Sequence, residues 1–498
     1  MSTSKLLVRI LAVGIIQTVI FLTWTSPSIR QAYRLISTEF DGPPTSSHHQ
    51  NFLPKVLAIY FPQFHADPLN DRLWGANFSD WNNLLAAPAK NKDGFAVPRP
   101  LPYKPEIPAH LMGENNVGLG YYDLRSVDIR KRQSELAKLY GIDGFIHHHY
   151  WFYDPNYNGP TLHAPLINML RDGYPDLPFF LNWCAVSWIN VWMGRAKWQS
   201  RSETINMNKA ITLQQQYFNA SDAQIRDHYD WLKQFFHHKN YIKVGGAPVF
   251  FSYQSRTEMM PILNRLRELA IEDGFPNLYL IIGRGAAPTH LHDRSELTPG
   301  MITQMRRRDQ PVESFPVEVY NQTMVYPYPA EYINKALAIP NWCKNREKIP
   351  PFPDGRNKPE INGIPITFDN TPRREFANAN LWNVGPVHEV VERFRTSLKS
   401  AITFDACCWH PSHRSDHKQE RYVVINAWNE WGEGMALEPS DVYGTQFLEV
   451  VKDVKLEVMS LLERNGGLTD DGRCMFVDGD EKVWNFMNDT VEIEPVEQ

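Results

Sequence analysis

The sequence predicts an α/β fold, a (β/α)8 TIM-type barrel with long loops, on three observations. Seven short apolar runs of strand type are spaced through the chain. Segments of helical period lie between them, the alternation that builds parallel sheets. The polar and aromatic clusters fall at the C-terminal ends of those runs, where barrel enzymes assemble their sites. An open doubly wound sheet is the competing architecture. No Gly-x-Gly-x-x-Gly follows the first run, so dinucleotide binding has no support.

The first strand is expected at Val56–His65. A helix over Asp128–Tyr140 precedes the second, Ile142–Phe152, and the third is Pro178–Ser187. Ser221 caps a helix reaching His238, with Ile225, Tyr229, Leu232 and Phe236 on one stripe. Ala247–Gln254 is the fourth strand. The helix after it, Thr257–Asp273, stops at Gly274, a common helix terminator. Leu278–Gly283 is the fifth strand. A further strand is expected between Gly300 and Tyr328, at Met301–Met305 or Val317–Val325. Pro365–Asn370, a helix at Val390–Leu398 carrying Val391 and Phe394, and Tyr422–Glu430 complete the set.

A chain of 498 residues holds one large domain with insertions, or two domains. Its 15 Trp and 21 Tyr either fill the core or line a carbohydrate groove. A net charge of −5 without a basic stripe argues against nucleic acid as a partner. Near the N-terminus, Lys5 and Arg9 precede an apolar run, Ile10–Trp24. Its length suits an uncleaved signal-anchor, because Thr25-Ser26-Pro27-Ser28 is a poor cleavage site. The expected layout is an anchor region over residues 1–34, a stem over 35–53, a catalytic domain over 54–464 and an extension over 465–498. That layout implies a single-pass type II membrane protein of the secretory pathway, in the Golgi or endoplasmic reticulum lumen, or a secreted protein if the segment is cleaved. Arg30 and Arg34 weaken the orientation argument. Asn77, Asn219, Asn321 and Asn488 head glycosylation sequons; roughly two or three are expected by chance. Five scattered cysteines make no disulfide framework, and no Cys/His spacing reads as zinc.

Chemistry concentrates at the strand ends. The last run closes with Asn426, Trp428, Asn429, Glu430, Trp431 and Glu433. By strand alternation Val424, Asn426, Trp428 and Glu430 share a face. Paired carboxylates beside aromatic rings suit glycosidic chemistry, which needs an acid, a base and flat apolar surfaces for sugar rings. The alternative is a helix cap and an ion pair. Gly432 and Gly434 favour catalysis, since they let backbone and ligand approach closely.

The other candidate substrate contacts are Tyr60, Gln63 and His65; His147, His149, Tyr150 and Trp151; Asn182, Trp183 and Trp188; and Asp369, Asn370, Arg373 and Arg374. His147 and His149 share a face while His148 points away, so no three of them ligate one metal, and no metal or other cofactor is expected. Asp369, Arg373 and Arg374 form either a structural ion-pair network or a grip for an anionic group such as phosphate. Trp74 and Trp81 are either a lid over a sugar or a local core.

The blocks Tyr60–His65, Trp74–Asn83, Gly141–Phe152, Asp369–Arg374 and Asn426–Pro439 resemble the WbsX-type family, described as polysaccharide-assembly glycosyltransferases with a domain similar to glycoside hydrolase family 99, the endo-α-mannosidases. The resemblance covers roughly Pro54–Glu449. Its most specific piece is Asn429-Glu430-Trp431-Gly432-Glu433-Gly434, followed by Leu437-Glu438-Pro439. It implies a (β/α)8 barrel without an obligatory metal. It also implies that Glu430 assists the sugar's 2-hydroxyl as base while Glu433 serves as acid/base, giving retention without a covalent enzyme intermediate. His147-His148-His149 and Met435-Ala436 depart from the family 99 pattern and put the sugar in doubt. A hydrolase acting on α-mannoside-type glycans is therefore expected. A transferase using a nucleotide sugar, and a non-catalytic glycan-binding barrel, are the alternatives.

Overall fold

The structure, a computed structural model, describes residues 53–105, 118–189, 212–253, 256–284, 322–325, 360–374, 377, 379–407 and 421–464. The expected span at 10–24, nearly all of the stem, the extension, Met301–Met305, Asn321 and Asn488 lie outside these residues. No helix among the described residues is long and apolar enough to cross a membrane.

Eight strands pair in parallel. They are β1 (Lys55–Tyr60), β2 (Gly144–Asp154), β3 (Phe179–Trp183), β4 (Ala247–Ser252), β5 (Tyr279–Arg284), β6 (Gln322–Val325), β7 (Glu360–Pro365) and β8 (Tyr422–Asn426). Each pairs with its successor, and β1 also pairs with β8, so all eight have two parallel neighbours. β6 lies within the second of the two segments expected for it. β2 continues into a hairpin with Tyr157–Thr161. Four strands depart from the sequence reading: β3 stops at Trp183 and β8 at Asn426, short of the expected Ser187 and Glu430. β7 precedes Pro365–Asn370 instead of spanning it, because Asn362-Gly363 interrupts its apolar pattern. β1 stops at Tyr60, before Pro62, which has no N–H for a ladder.

Helices α1 (Pro68–Trp74) and α2 (Asp80–Ala86) sit in the loop after β1. α3 (Val127–Leu139), α4 (Ala164–Asp172), α5 (Asp222–Phe236) and α6 (Met260–Glu272) precede β2, β3, β4 and β5 respectively. α7 (Val387–Cys407) and α8 (Gln446–Arg464) flank β8. Ser221 and Gln224 close a capping box at the start of α5. The core falls into two clusters that divide β1 by alternation. Val56, Ala58 and Tyr60 join the cluster containing α3, α7 and α8, while Leu57 and Ile59 join the other.

Candidate active site

The site is built where the end of β8 meets the end of β1. The Asn426–Ala427 peptide is cis. Trp428 N–H donates to the Ile59 carbonyl at 2.7 Å. The Asn429 amide then clamps Phe61, accepting from its N–H at 2.7 Å and donating to its carbonyl at 3.0 Å. Asn429-Glu430 pairs antiparallel with Met435-Ala436, and one 3-10 turn, Trp431–Glu433, lies between. Gly434 returns the chain at φ 67°, a left-handed conformation that glycine adopts freely.

Arg373 organises this turn. Its Nε and Nη2 donate to the two oxygens of Asp80 at 3.1 and 2.9 Å, a bidentate pair. Nη2 also donates to Glu430 at 2.5 Å, and Nη1 reaches Glu433 at 3.0 Å. Phe61 packs under the guanidinium, 5.2 Å from the Arg373 carbon to the ring centre. Burial opposes the arginine charge, but Asp80, Glu430 and Glu433 outweigh it and hold its pKa above the usual value. The Glu430 carboxyl is pushed well above the usual range by burial; Arg373 opposes this, and Glu433 and Asp80 add to it. Glu430 is nearly sealed, its side chain 8 % exposed, whereas that of Glu433 is 26 % exposed. Arg374 lies near enough to feel Glu433, and burial lowers its pKa. Gly432 is the contact point: a Cβ there would clash with the Asp80 carboxylate and the Arg373 Nε.

A third motif carboxylate, Glu438, supports the turn from behind. Its Oε2 accepts from Trp431 Nε1 and Tyr122 Oη, both at 2.8 Å, and its Oε1 accepts from Gln133 Nε2 at 2.7 Å. Tyr122 Oη also accepts from Asn429 Nδ2 at 3.2 Å. Burial raises the Glu438 carboxyl to about 7 against the pull of these donors.

The end of β2 supplies a neighbouring wall. His148 is partly exposed and stands 6.1 Å from the Phe61 ring and 6.0 Å from the ring of Tyr253. Asn182 Nδ2 donates to its Nδ1 at 3.0 Å. Tyr150 is buried beside Cys184 and feels Glu430 and Arg373. Trp188 packs edge-on against Tyr150 at 5.5 Å.

Of the residues singled out in the sequence, Glu430, Glu433, Arg373, Arg374, Asn182, Tyr150, Trp188, Asn429 and Trp431 come together here. Asn426 ends β8 nearby, partly buried. Others face away. His147 packs between Tyr60 and Phe179, and His149 stacks on Trp231 of α5 and bonds His228. Trp151 stacks on His228, Trp183 donates to the Trp151 carbonyl, and Tyr60 donates to Gln133 of α3. Trp428 does not share the Glu430 face, because the strand ends at Asn426; it packs on Phe145 at 5.1 Å. Trp81 joins Phe64, Tyr122 and Trp431, and Trp74 packs on Phe78, so both belong to local core. Gln63 bonds Asn70, and His65 bonds the Pro62 carbonyl. Asp369 accepts from Asn91 and the Thr371 N–H, whereas Arg373 binds Asp80, Glu430 and Glu433 instead, and Asn370 accepts from the Asn380 N–H. Asp80, His148, Tyr253, Gln133 and Tyr122 were not picked out in the sequence. Among the described residues, no group of three or more His, Cys, Asp or Glu is placed to hold a metal.

The site is thus one turn carrying two glutamates on a single buried guanidinium, Glu430 enclosed and Glu433 partly exposed, among aromatic side chains. The chain belongs to the glycosyltransferase WbsX family, whose model matches residues 56–451. It is 26 % identical over 424 residues to uncharacterized protein WxcX of two strains of Xanthomonas campestris pv. campestris, covering 82 % of this chain and 52 % of each relative. The chain thus spans about half the length of the curated relatives it matches. Solved structures similar to it include a glycoside hydrolase-like protein (14 % identity, TM-score 0.44, covering 81 % of this chain and 94 % of that one). The GH99 endo-alpha-mannosidase from Bacteroides thetaiotaomicron is another (12 % identity, TM-score 0.41, covering 81 % and 97 %).

Proposed function

We propose that the protein is a (β/α)8-barrel glycoside hydrolase acting at the anomeric carbon of α-mannoside-type glycans, with Glu430 and Glu433 as its carboxylate pair. One observation carries this reading: a single buried guanidinium binds both glutamates, fixing them to one locus while leaving Glu433 open to solvent. Glu430, the more enclosed, takes the 2-hydroxyl proton as that oxygen attacks the anomeric carbon. Glu433 gives its proton to the departing glycosidic oxygen. Water, deprotonated by Glu433, then opens the anhydro ring at the anomeric carbon, and Glu430 returns its proton to the 2-oxygen. The Arg373 guanidinium opposes the effect of burial on Glu430 and favours the ionised form that a base requires.

Arg373 disfavours the transferase alternative, in which it holds donor phosphate. Its contacts to Asp80, Glu430 and Glu433 already use four donor directions of a group with five N–H. Three carboxylates around it also repel an anion. Family membership keeps transfer to a sugar acceptor as the competing outcome. The purified protein is offered α-mannosyl oligosaccharides in water, and separately nucleotide sugars with acceptors. Hydrolysis reduced about a thousandfold in Glu433→Gln is expected. Turnover only with a nucleotide sugar would sink the hydrolase reading. The secretory location is part of the proposal, supported by exposed sequons at Asn77 and Asn219. A full-length protein whose mobility is unchanged by endoglycosidase would count against it.

A further inference from the structure

We propose that His148 is a specificity-determining residue whose Nε2–H donates a hydrogen bond to a hydroxyl of the sugar beside the reacting bond. This rests on reading the site as a glycan site, but not on the reaction that occurs there.

The inference begins with β2. Its two faces carry similar aromatic side chains, yet they end in different surroundings. His147 and His149 are buried against Phe179 and against Trp231 of α5. His148, on the opposite face, stays partly exposed between Phe61 and Tyr253. Phe61 is the ring beneath Arg373, so the imidazole stands one side chain away from the guanidinium that holds Glu430 and Glu433. Tyr253 adds an exposed ring on its other side, 38 % accessible. Aromatic faces flanking a polar tip are the arrangement that receives a sugar, with C–H groups against the rings and hydroxyls toward the tip.

The imidazole is also pre-oriented. Asn182 is fully buried, and its Nδ2 donates to His148 Nδ1, which puts the ring proton on Nε2. Nε2 has no hydrogen-bond partner among the described residues. One nitrogen is thus anchored to Asn182, and the other is left as a donor on a partly exposed ring near Phe61 and Tyr253.

The charge state suits a neutral ligand. Burial, with help from the Arg373 charge, lowers His148 to about 3, so the ring stays uncharged across the working range of an enzyme. An uncharged donor recognises a hydroxyl oxygen and gives little to a phosphate, which calls for a cation. The chemical class expected here is an uncharged hexose unit.

The test uses protein labelled with ¹⁵N-histidine, with the His148 signals assigned by their loss in His148→Phe. Titration with α-linked manno-, gluco- and galacto-disaccharides is followed by long-range ¹H–¹⁵N spectra, in wild type and in Glu433→Gln. The Nε2–H tautomer is expected from pH 5 to 8, with a shift of its Nε2 signal on binding at least one disaccharide. His148→Phe should bind that sugar about 3- to 10-fold more weakly, the range of one net hydrogen bond. An Nδ1–H tautomer, a signal unmoved by all three sugars, or equal affinity in His148→Phe would overturn the proposal. The hydrolase reading fails separately. If Glu433→Gln turned over glycans as fast as wild type while the His148 signal still shifted, the binding role would stand and the assigned chemistry would fall.

Discussion

Two buried carboxylates within nine residues of each other are held in opposite ways. Glu430 lies against a guanidinium that it shares with Asp80 and Glu433, whereas the bonds that Glu438 accepts from Trp431, Tyr122 and Gln133 come from neutral groups. The first arrangement gathers charge around a cation and leaves one of its acids open to solvent. The second spends a carboxylate on geometry, tying Trp431, which follows Glu430, to Gln133 of α3 and to Tyr122 in the loop before it. On the proposed function, the difference separates the part of the motif that reacts from the part that holds it still.

Removing the cation breaks the comparison most severely. Arg373→Met leaves Asp80 and Glu430 buried without a counter-charge and should cost about 3–5 kcal/mol in denaturant unfolding, with hydrolysis abolished. A loss under about 1 kcal/mol would mean that the guanidinium is not what offsets the burial of Glu430, and the contrast with Glu438 would vanish. Glu438→Leu comes next. It orphans three buried donors at once, so about 3–4 kcal/mol is expected, with activity falling because Trp431 is released.

A gentler change, Glu438→Gln, sharpens the comparison through pH. The folded chain keeps the Glu438 proton up to about 7, whereas a free glutamate releases its own near 4.5. The folded state therefore binds more protons between those values, and stability falls as pH rises through that window. The contribution is fully present below about 4.5 and amounts to at most about 3 kcal/mol. In Glu438→Gln the curve of unfolding free energy against pH should flatten over that interval. An unchanged slope would assign the titration to Glu430 instead. Smallest is Gly432→Ala, whose methyl group would part Asp80 from Arg373. About 2 kcal/mol of stability is expected to go, while the Glu438 bonds and their pH dependence remain.

Much of this was legible in the sequence, and the failures have a common cause. Most strand positions followed from apolar runs, and the start of α5 from Ser221. The glutamates of the motif announced themselves by their company. What the sequence could not supply was direction. Phe145, His147, His149 and Trp151 on one face of β2 look no different in hydropathy from Ile146, His148, Tyr150 and Phe152 on the other. Which face opens to the site depends on pairing Gly144 with Leu57, a register set by the whole sheet. Partners were equally hidden. Asp80 lies 293 residues from Arg373, and nothing near either one names the other. Trp428 failed for a local reason, since alternation was carried past the last ladder residue.

The clamp between Asn429 and Phe61 joins positions 368 residues apart. A ribosome issuing the chain from its N-terminus delivers one half of the site long before the other. Until β8 emerges, β1 has an edge that must be kept from other partners, and neither glutamate has yet been made. On the proposed function, activity would therefore arrive with one late, long-range event and not by degrees. A nascent chain arrested ahead of residue 422 should be inert and exposed to aggregation, because the turn bearing Glu430 and Glu433 is then missing.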